Sequence, residues 1–354
     1  MDLWTLLHRW DERPMGRPIS ALLVGLALGL LATLLVSPGS TLQFHGAEYA
    51  ELSANVFNGA YESRFRYRIL APFLGAISGL SGARFFVVPW IVGVLFLAAT
   101  FHELRREGAS LAMALLAASA MASSCTTLLP FSSPGYTDTL TYFFLLLAFF
   151  RTEQVVFSAT CFALALWNHE SAAFLFPGLL LFHHSRQGDA NRTRNYATLL
   201  LLFVIPYGAY RLWVGEHFTE ALGAAWYLNS ENIRISSAEV KLLAPLGAFL
   251  AFKFFWGFPA WAIAIAWRNK QRIVLGTYVA ILVAVSMQQL VAVDTTRLFT
   301  LAFPLVLLAM LQLDRSAQRG LALRIGVLVM LANILLPAAM VASDRVFPLG
   351  AVVQ

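Results

Sequence analysis

The sequence predicts an all-α, polytopic transmembrane helical bundle, and three observations carry that prediction. Of 354 residues, 59% are hydrophobic and only 12% charged, with mean hydropathy +0.69; a soluble domain is nearer a quarter charged. The apolar residues fall in runs almost free of charge, at 19–36, 85–101, 273–285 and 325–342. Lys and Arg alternate in density between successive connections. About 18 to 20 apolar residues let a helix cross the hydrocarbon layer, so the pattern corresponds to about 10–11 membrane helices. Backbone polar groups in lipid must be satisfied within the segment, which makes the spans helices.

Residues 1–18 read as a cytoplasmic interfacial segment, with Leu3, Trp4, Leu7 and Trp10 at helical spacing. The span at 19–36 reads as a retained anchor: it is long for a signal-peptide core, and Val36-Ser-Pro-Gly-Ser40 lacks a small-x-small cleavage pattern. A first outer loop occupies 37–84 and contains an acidic amphipathic helix and a short apolar stretch at 69–80. Spans follow at 84–101, 109–129 and 137–150. The stretch 155–182 reads as two short helices meeting at Asn168-His169-Glu170, a polar break tolerated only beside a cavity or protein interior. Next come a span at 196–214, a second outer loop at 215–243, and spans at 244–267, 273–292, 297–313 and 325–342. The whole of 1–354 reads as one transmembrane domain.

Charge tests the layout. With the N-terminus inside, inner segments hold fifteen of the 25 Lys and Arg against eight of the 19 acids, a surplus of positive charge. The remaining segments are slightly negative, so the bias has the sign the positive-inside rule requires. The same distribution accounts for the sequence pI near 9.5. The basic residues flank spans and form no single patch, so no nucleic-acid partner is expected. Cys125 and Cys161 both lie inside spans, which argues against a disulfide or a metal site.

Five acids, Glu48, Glu51, Asp138, Glu170 and Asp294, fall on or near the outer face. Ionisable groups at membrane depth are costly and usually line a site or pathway. Within 46–58, Glu48, Glu51, Asn55 and Asn58 form one polar stripe of a helix, with Tyr49, Leu52 and Val56 on the neighbouring apolar stripe. Two carboxylates one turn apart repel, which could raise one of them toward general-base range. A plain interfacial helix with solvated acids is the competing reading. Arg64, Arg66 and Arg68 alternate with aromatics, so an extended chain would turn all three guanidinia to one side, where either the acidic stripe or an anionic lipid phosphate would partner them. Asp138 opens a span, where the helix dipole alone could account for it. Asn168 could cap the helix that follows, but capping needs neither His169 nor Glu170. Asp294 and Arg297 are spaced for an ion pair. Lys253, inside a span between Phe252 and Phe254, is a candidate for binding an anion in the cavity.

In their order along the chain, these outer-face elements resemble the GT-C superfamily of integral membrane glycosyltransferases. The resembling pieces are His45-Gly-Ala-Glu-Tyr49, Tyr67-Arg-Ile-Leu-Ala-Pro72, Tyr136-Thr-Asp138, Asn168-His-Glu-Ser171 and Asp294-Thr-Thr-Arg297. One departure stands out: His45 occupies the place where many members carry an acid in the first outer loop. The resemblance implies a polyprenyl-phosphate sugar donor, a lipid or glycan acceptor, and an active face on the non-cytoplasmic side of a bacterial inner membrane. It implies Glu48 or Glu51 as general base, with Asp138 positioning the acceptor or serving as alternative base. Arg64, Arg66, Arg68 and Arg297 would hold the phosphate, and His45, Tyr49, Asn168, His169 and Glu170 would line the substrate pocket. No ligand spacing argues for a metal, although a divalent cation bridging carboxylates and phosphate is compatible with it. The competing functions are a transporter or flippase of lipid-linked saccharide, a polysaccharide polymerase or ligase, and a structural membrane subunit. No inverted repeat supports the first, and no large late loop the second. The third explains the outer acids poorly.

Overall fold

A computed structural model describes residues 16–36, 45–218, 242–290, 292, 294–342 and 345–349. The expected interfacial segment at 1–15, the start of the first outer loop and 219–241 of the second lie outside the described residues. The architecture is polytopic and helical. Among the described residues, six helices are long and apolar enough to cross a membrane: Gly16–Leu35 (α1), Gly82–Arg106, Ala190–His217, Leu242–Arg268, Arg272–Leu290 and Thr295–Asp314. Leu111–Ala122 and Cys125–Ser132, bent by 41° where Ser123 and Ser124 interrupt them, would make a seventh as a pair. The expected uninterrupted span at 109–129 is therefore two helices. Shorter apolar helices, Asp138–Phe150 (α2) and Val155–Asn168 (α3), fill the interior.

Burial follows sequence character. The window at 295–314 is 83% buried and forms the centre, whereas those in α1 and at 190–217 are only 22% and 17% buried. Their exposed Leu23, Leu34, Leu201 and Leu212 are apolar surface suited to lipid. Phe96, Tyr142, Phe149, Phe162 and Phe303 fill the core between the two ends of the bundle. The run at 325–342 does not stay helical. Arg319–Leu335 ends before Pro337, which cannot continue a helix. Ala339–Ala342 then pairs antiparallel with Arg345–Pro348 in a two-stranded hairpin. That hairpin is an exception to the all-α expectation. The Val341 N–H donates to Thr296 Oγ1 at 2.8 Å, so the hairpin braces the helical turn that carries Arg297.

In the connection after α1, Gly46–Ala54 (α4) is helical and carries Glu48 and Glu51, with Asn55 and Asn58 past its end, and Leu70–Ile77 (α5) follows. Tyr49, Leu52, Phe65, Phe85, Val88 and Leu140 share one apolar cluster that seats α4 on the membrane helices. Its approach is very close. A Cβ on Gly46 would lie 2.1 Å from the Pro134 carbonyl oxygen, and Gly135, at φ +91°, presses back with no side chain of its own. Only glycine tolerates both the contact and that backbone angle cheaply.

Candidate functional site

Four chain segments meet where α2 begins. Asp138 lies in the first turn of α2 and is 3% exposed. Arg297 donates to it twice, from Nε to Oδ2 at 2.6 Å and from Nη2 to Oδ1 at 2.8 Å. Asp294, the partner its spacing suggested, is the weaker contact at 3.5 Å. The Arg297 guanidinium also lies over the Tyr136 ring, 4.8 Å from its centroid.

Glu170 follows the break that ends α3. Arg68 reaches it from the segment between α4 and α5, Nε to Oε2 at 3.0 Å and Nη2 to Oε1 at 2.6 Å, and its Nη1 donates to the Tyr49 hydroxyl at 3.1 Å. Asn168 does not cap the following turn. Its Nδ2 donates to the Thr137 carbonyl at 2.8 Å and to Thr141 Oγ1 at 2.7 Å, tying the end of α3 to the start of α2. The cap is His169, whose Nδ1 accepts the Ser171 N–H at 3.2 Å. Both residues are buried, so the break is a folded junction inside the protein.

Glu48, on α4, forms the third pair. Arg64 grips it with Nε at 2.5 Å from Oε2 and Nη2 against Oε1. His45 Nδ1 lies 3.3 Å from Glu48 Oε1 and 3.0 Å from Arg64 Nη2, so it can donate to the first or accept from the second but not both. Burial is the largest influence on Glu48 and would raise its pKa; the hydrogen bond and charge of Arg64 outweigh it and hold the carboxyl below its ordinary range. The neighbouring carboxylate therefore does not lift Glu48 toward general-base range. Glu51 points elsewhere, accepting from the Tyr61 hydroxyl at 3.1 Å. Burial, reinforced by the charges of Arg297 and Arg64, lowers His45 despite the hydrogen bond to Glu48, so the imidazole is neutral near pH 7.

The three pairs form one electrostatic unit. The charge of Arg68 acts on Asp138, and that of Arg297 acts on His45. Phe65 packs between them: Tyr49 stacks on it at 4.7 Å, His45 meets its edge at 4.8 Å, and Arg64 and Arg68 lie 5.1 and 5.3 Å from its centroid.

The arginine triplet does not share a side, because 64–67 is a turn and not an extended strand. Arg64 and Arg68 face the acids. Arg66 turns away over the Phe218 ring at 4.7 Å, with Nη2 donating to the Asn58 carbonyl at 3.2 Å, and its Nε and Nη1 are buried without a hydrogen-bond partner. Lys253 is not in this region. At φ +50°, it donates from Nζ to the carbonyls of Asn333 and Leu336 at 2.8 and 2.7 Å, where the helix Arg319–Leu335 ends. A buried ammonium on terminal helix carbonyls satisfies both groups.

The sequence reading missed Arg211. Its Nη1 lies 3.9 Å from Glu170 Oε2 and 3.2 Å from the Tyr207 hydroxyl, its guanidinium covers the Tyr67 ring at 4.6 Å, and its Nε is buried without a partner. As the sole charge in the run 196–214, it carried the usual signal of an ionisable residue within a span.

No protein-family model matches the chain, and no curated protein matches it. Among solved structures, the chain is similar to an Archaeoglobus fulgidus oligosaccharyltransferase crystallised with Zn and sulfate. The identity is 14% and the TM-score 0.49, over 88% of this chain and 51% of that one. The chain thus spans about half the length of that neighbour.

Proposed function

We propose that this chain is a GT-C-type membrane glycosyltransferase. It takes a sugar from a polyprenyl-phosphate carrier on the non-cytoplasmic face and passes it to a lipid or glycan acceptor. The observation that carries the reading is the meeting of Glu48, Asp138 and Glu170, each held by its own guanidinium, from segments far apart in sequence. Packing alone gives no reason to bury so many charges in one place.

In this reading Glu48 is the general base. Its lowered pKa keeps it ionised near neutral pH, and it sits on the exposed rim, where Arg64 can swing aside for an acceptor hydroxyl. The acceptor oxygen attacks the anomeric carbon and its proton passes to Glu48. The bond from that carbon to the carrier phosphate oxygen breaks with inversion, and the phosphate leaves with the electron pair. Arg211, beside Glu170 and with a buried Nε that lacks a hydrogen-bond partner, supplies a donor for that phosphate. Asp138 and Arg297 position the acceptor, and His169, Asn168 and Glu170 shape the sugar pocket. Among the described residues no three His, Cys, Asp or Glu side chains group as metal ligands. A divalent cation would have to draw part of its coordination from the carrier phosphate.

The carrier's chain also finds a suitable surface. A groove of about 630 Å³ is lined by Phe174, Phe176, Val204, Val279, Val283 and Met287 with almost no polar atoms. Its lining includes Ala173, three residues along the chain from Glu170, and an isoprenoid suits so apolar a wall. The transport alternative needs a polar route through the bundle, whereas Phe96, Tyr142 and Phe303 close the middle with mutual ring contacts of 5.4 to 6.1 Å.

The test is transfer of labelled sugar from a panel of polyprenyl-phosphate donors by purified protein. Wild type should transfer, Glu48→Gln should lose roughly 10²–10⁴-fold in rate as expected for removal of a general base, and Glu51→Gln should keep it. If no donor supports transfer, or Glu48→Gln and Asp138→Asn both keep full rate, the assignment fails.

A further inference from the structure

The end of the bundle opposite Asp138 holds a second charged assembly that the proposed reaction does not use. Val87–Arg106 (α6) and α2 run from one end to the other, and their C-terminal residues meet there. Buried Glu103 accepts from Arg151 at 2.7 and 2.9 Å and from Arg106 at 2.7 Å. Glu153 accepts from Arg106 at 2.6 Å and lies 3.8 Å from Arg186. Glu107 is shared by three guanidinia, those of Arg186 at 2.9 Å, Arg106 at 3.3 Å and Arg315 at 3.5 Å. Within this set, four arginines face three carboxylates. Glu153 and Glu107 share Arg186, so the set as a whole carries one more positive charge than negative, with Arg315 at its exposed edge.

Arg186 and Arg315, together with Glu107, line one end of a cavity of about 560 Å³, set between the helices Phe176–Gln187, Gly257–Arg268, Arg272–Met287 and Phe303–Asp314. That volume suits a ligand and exceeds what a few waters need. On its wall the Tyr278 hydroxyl donates to Gln312 Oε1 at 2.5 Å, and Gln312 Nε2 reaches Gln271 Oε1 at 3.4 Å. Phe182, Ile265, Val274 and Leu308 add apolar wall. Guanidinia, hydrogen-bonding side chains and apolar surface in one cavity suit the phosphate, the glycerol ester region and the first part of an acyl chain. A free phosphate or nucleotide would leave the apolar wall unused.

We infer that this cavity binds an anionic glycerophospholipid, with the phosphate between Arg186 and Arg315 and the first part of a chain against Val274 and Leu308. Basic pockets between membrane helices beside an anionic leaflet take lipid head groups in this way. The site is independent of sugar transfer, and its test does not read that activity.

Detergent-purified full-length protein is mixed with phosphatidylglycerol, phosphatidylcholine or inorganic phosphate, and retained adducts are counted by native mass spectrometry. Phosphatidylglycerol should be retained over phosphatidylcholine, and Arg315→Gln should weaken that retention about fivefold, the effect of one juxtamembrane charge. Ser185→Trp, which fills the cavity without touching the charge set, should abolish it while size-exclusion profile and helicity stay unchanged. Equal retention of the two lipids, or no change in either variant, overturns the inference. So does displacement of the lipid by millimolar inorganic phosphate, which would make this a bare anion site.

Discussion

Arg297 meets Asp138 through two parallel N–H groups, at 2.6 and 2.8 Å, although 159 positions separate them in the chain. The fork fixes both the distance and the plane of the carboxylate, and the hairpin behind Thr296 fixes the fork. The pair is buried, so its geometry matters more than its charge.

Arg297→Lys should therefore behave nearly as badly as Arg297→Ala. A lysine keeps the charge but cannot make the planar two-point contact. Breaking one side of a buried pair costs about 3–5 kcal/mol, read as a lower unfolding temperature in detergent. Asp138→Asn combined with Arg297→Gln should recover part of the loss. A lysine variant with wild-type stability would contradict the geometry.

The His45–Glu48–Arg64 cluster sets a pH dependence. His45 is lowered below its ordinary 6.5, so the unfolded chain takes up that proton first as pH falls. The stability due to neutral His45 is full above 6.5 and is lost as pH drops below it. Glu48 is lowered from 4.5, so its contribution is present above that value and lost as pH falls further. Thermal unfolding between pH 8 and about 2 should show both declines in wild type. His45→Gln should remove the upper one and Glu48→Gln the lower one. Unchanged profiles in both variants would show that these groups do not couple to folding.

Gly46→Ala should act on the site without touching a charge. The added methyl has no room against Pro134 and Gly135, so α4 must lift, and Glu48 with it. Overpacking of this kind costs about 1–3 kcal/mol. Sugar transfer should fall much further than stability. Ala47→Gly, one position along α4 where no such contact is at stake, is the control. Equal transfer by wild type and Gly46→Ala would show that the seat of α4 is not critical.

Lys253→Met separates a structural ammonium from a binding one. Lys253 holds the carbonyls that end Arg319–Leu335, so the substitution should lower the unfolding temperature and increase amide exchange at 333–336. Sugar transfer per folded molecule should change by no more than about twofold, the scale of a few tenths of a kcal/mol. Loss of transfer without loss of stability would return Lys253 to the active site.

Much of this was legible in the residues. Low charge, long apolar runs and the flanking arginines established a helical membrane protein, because the bilayer imposes those patterns on any chain that crosses it. The stripe in α4 and the break at 168–170 were equally plain, since each is a departure from a local period. Pairing was not. Asp294 looked like the natural partner of Arg297 because spacing along a helix can be read from sequence, whereas the contact with Asp138 crosses the fold. Arg66 and Arg68 looked equivalent, and a turn at 64–67 sent one toward Phe218 and the other toward Glu170. Lys253 looked like a ligand-binding charge until packing placed it on the end of another helix. Sequence alone determined which residues the membrane would make expensive to bury. Only the tertiary structure decided which opposite charge each of them found, because a buried charge is satisfied by whatever group the fold brings within about 3 Å, wherever in the chain that group originates.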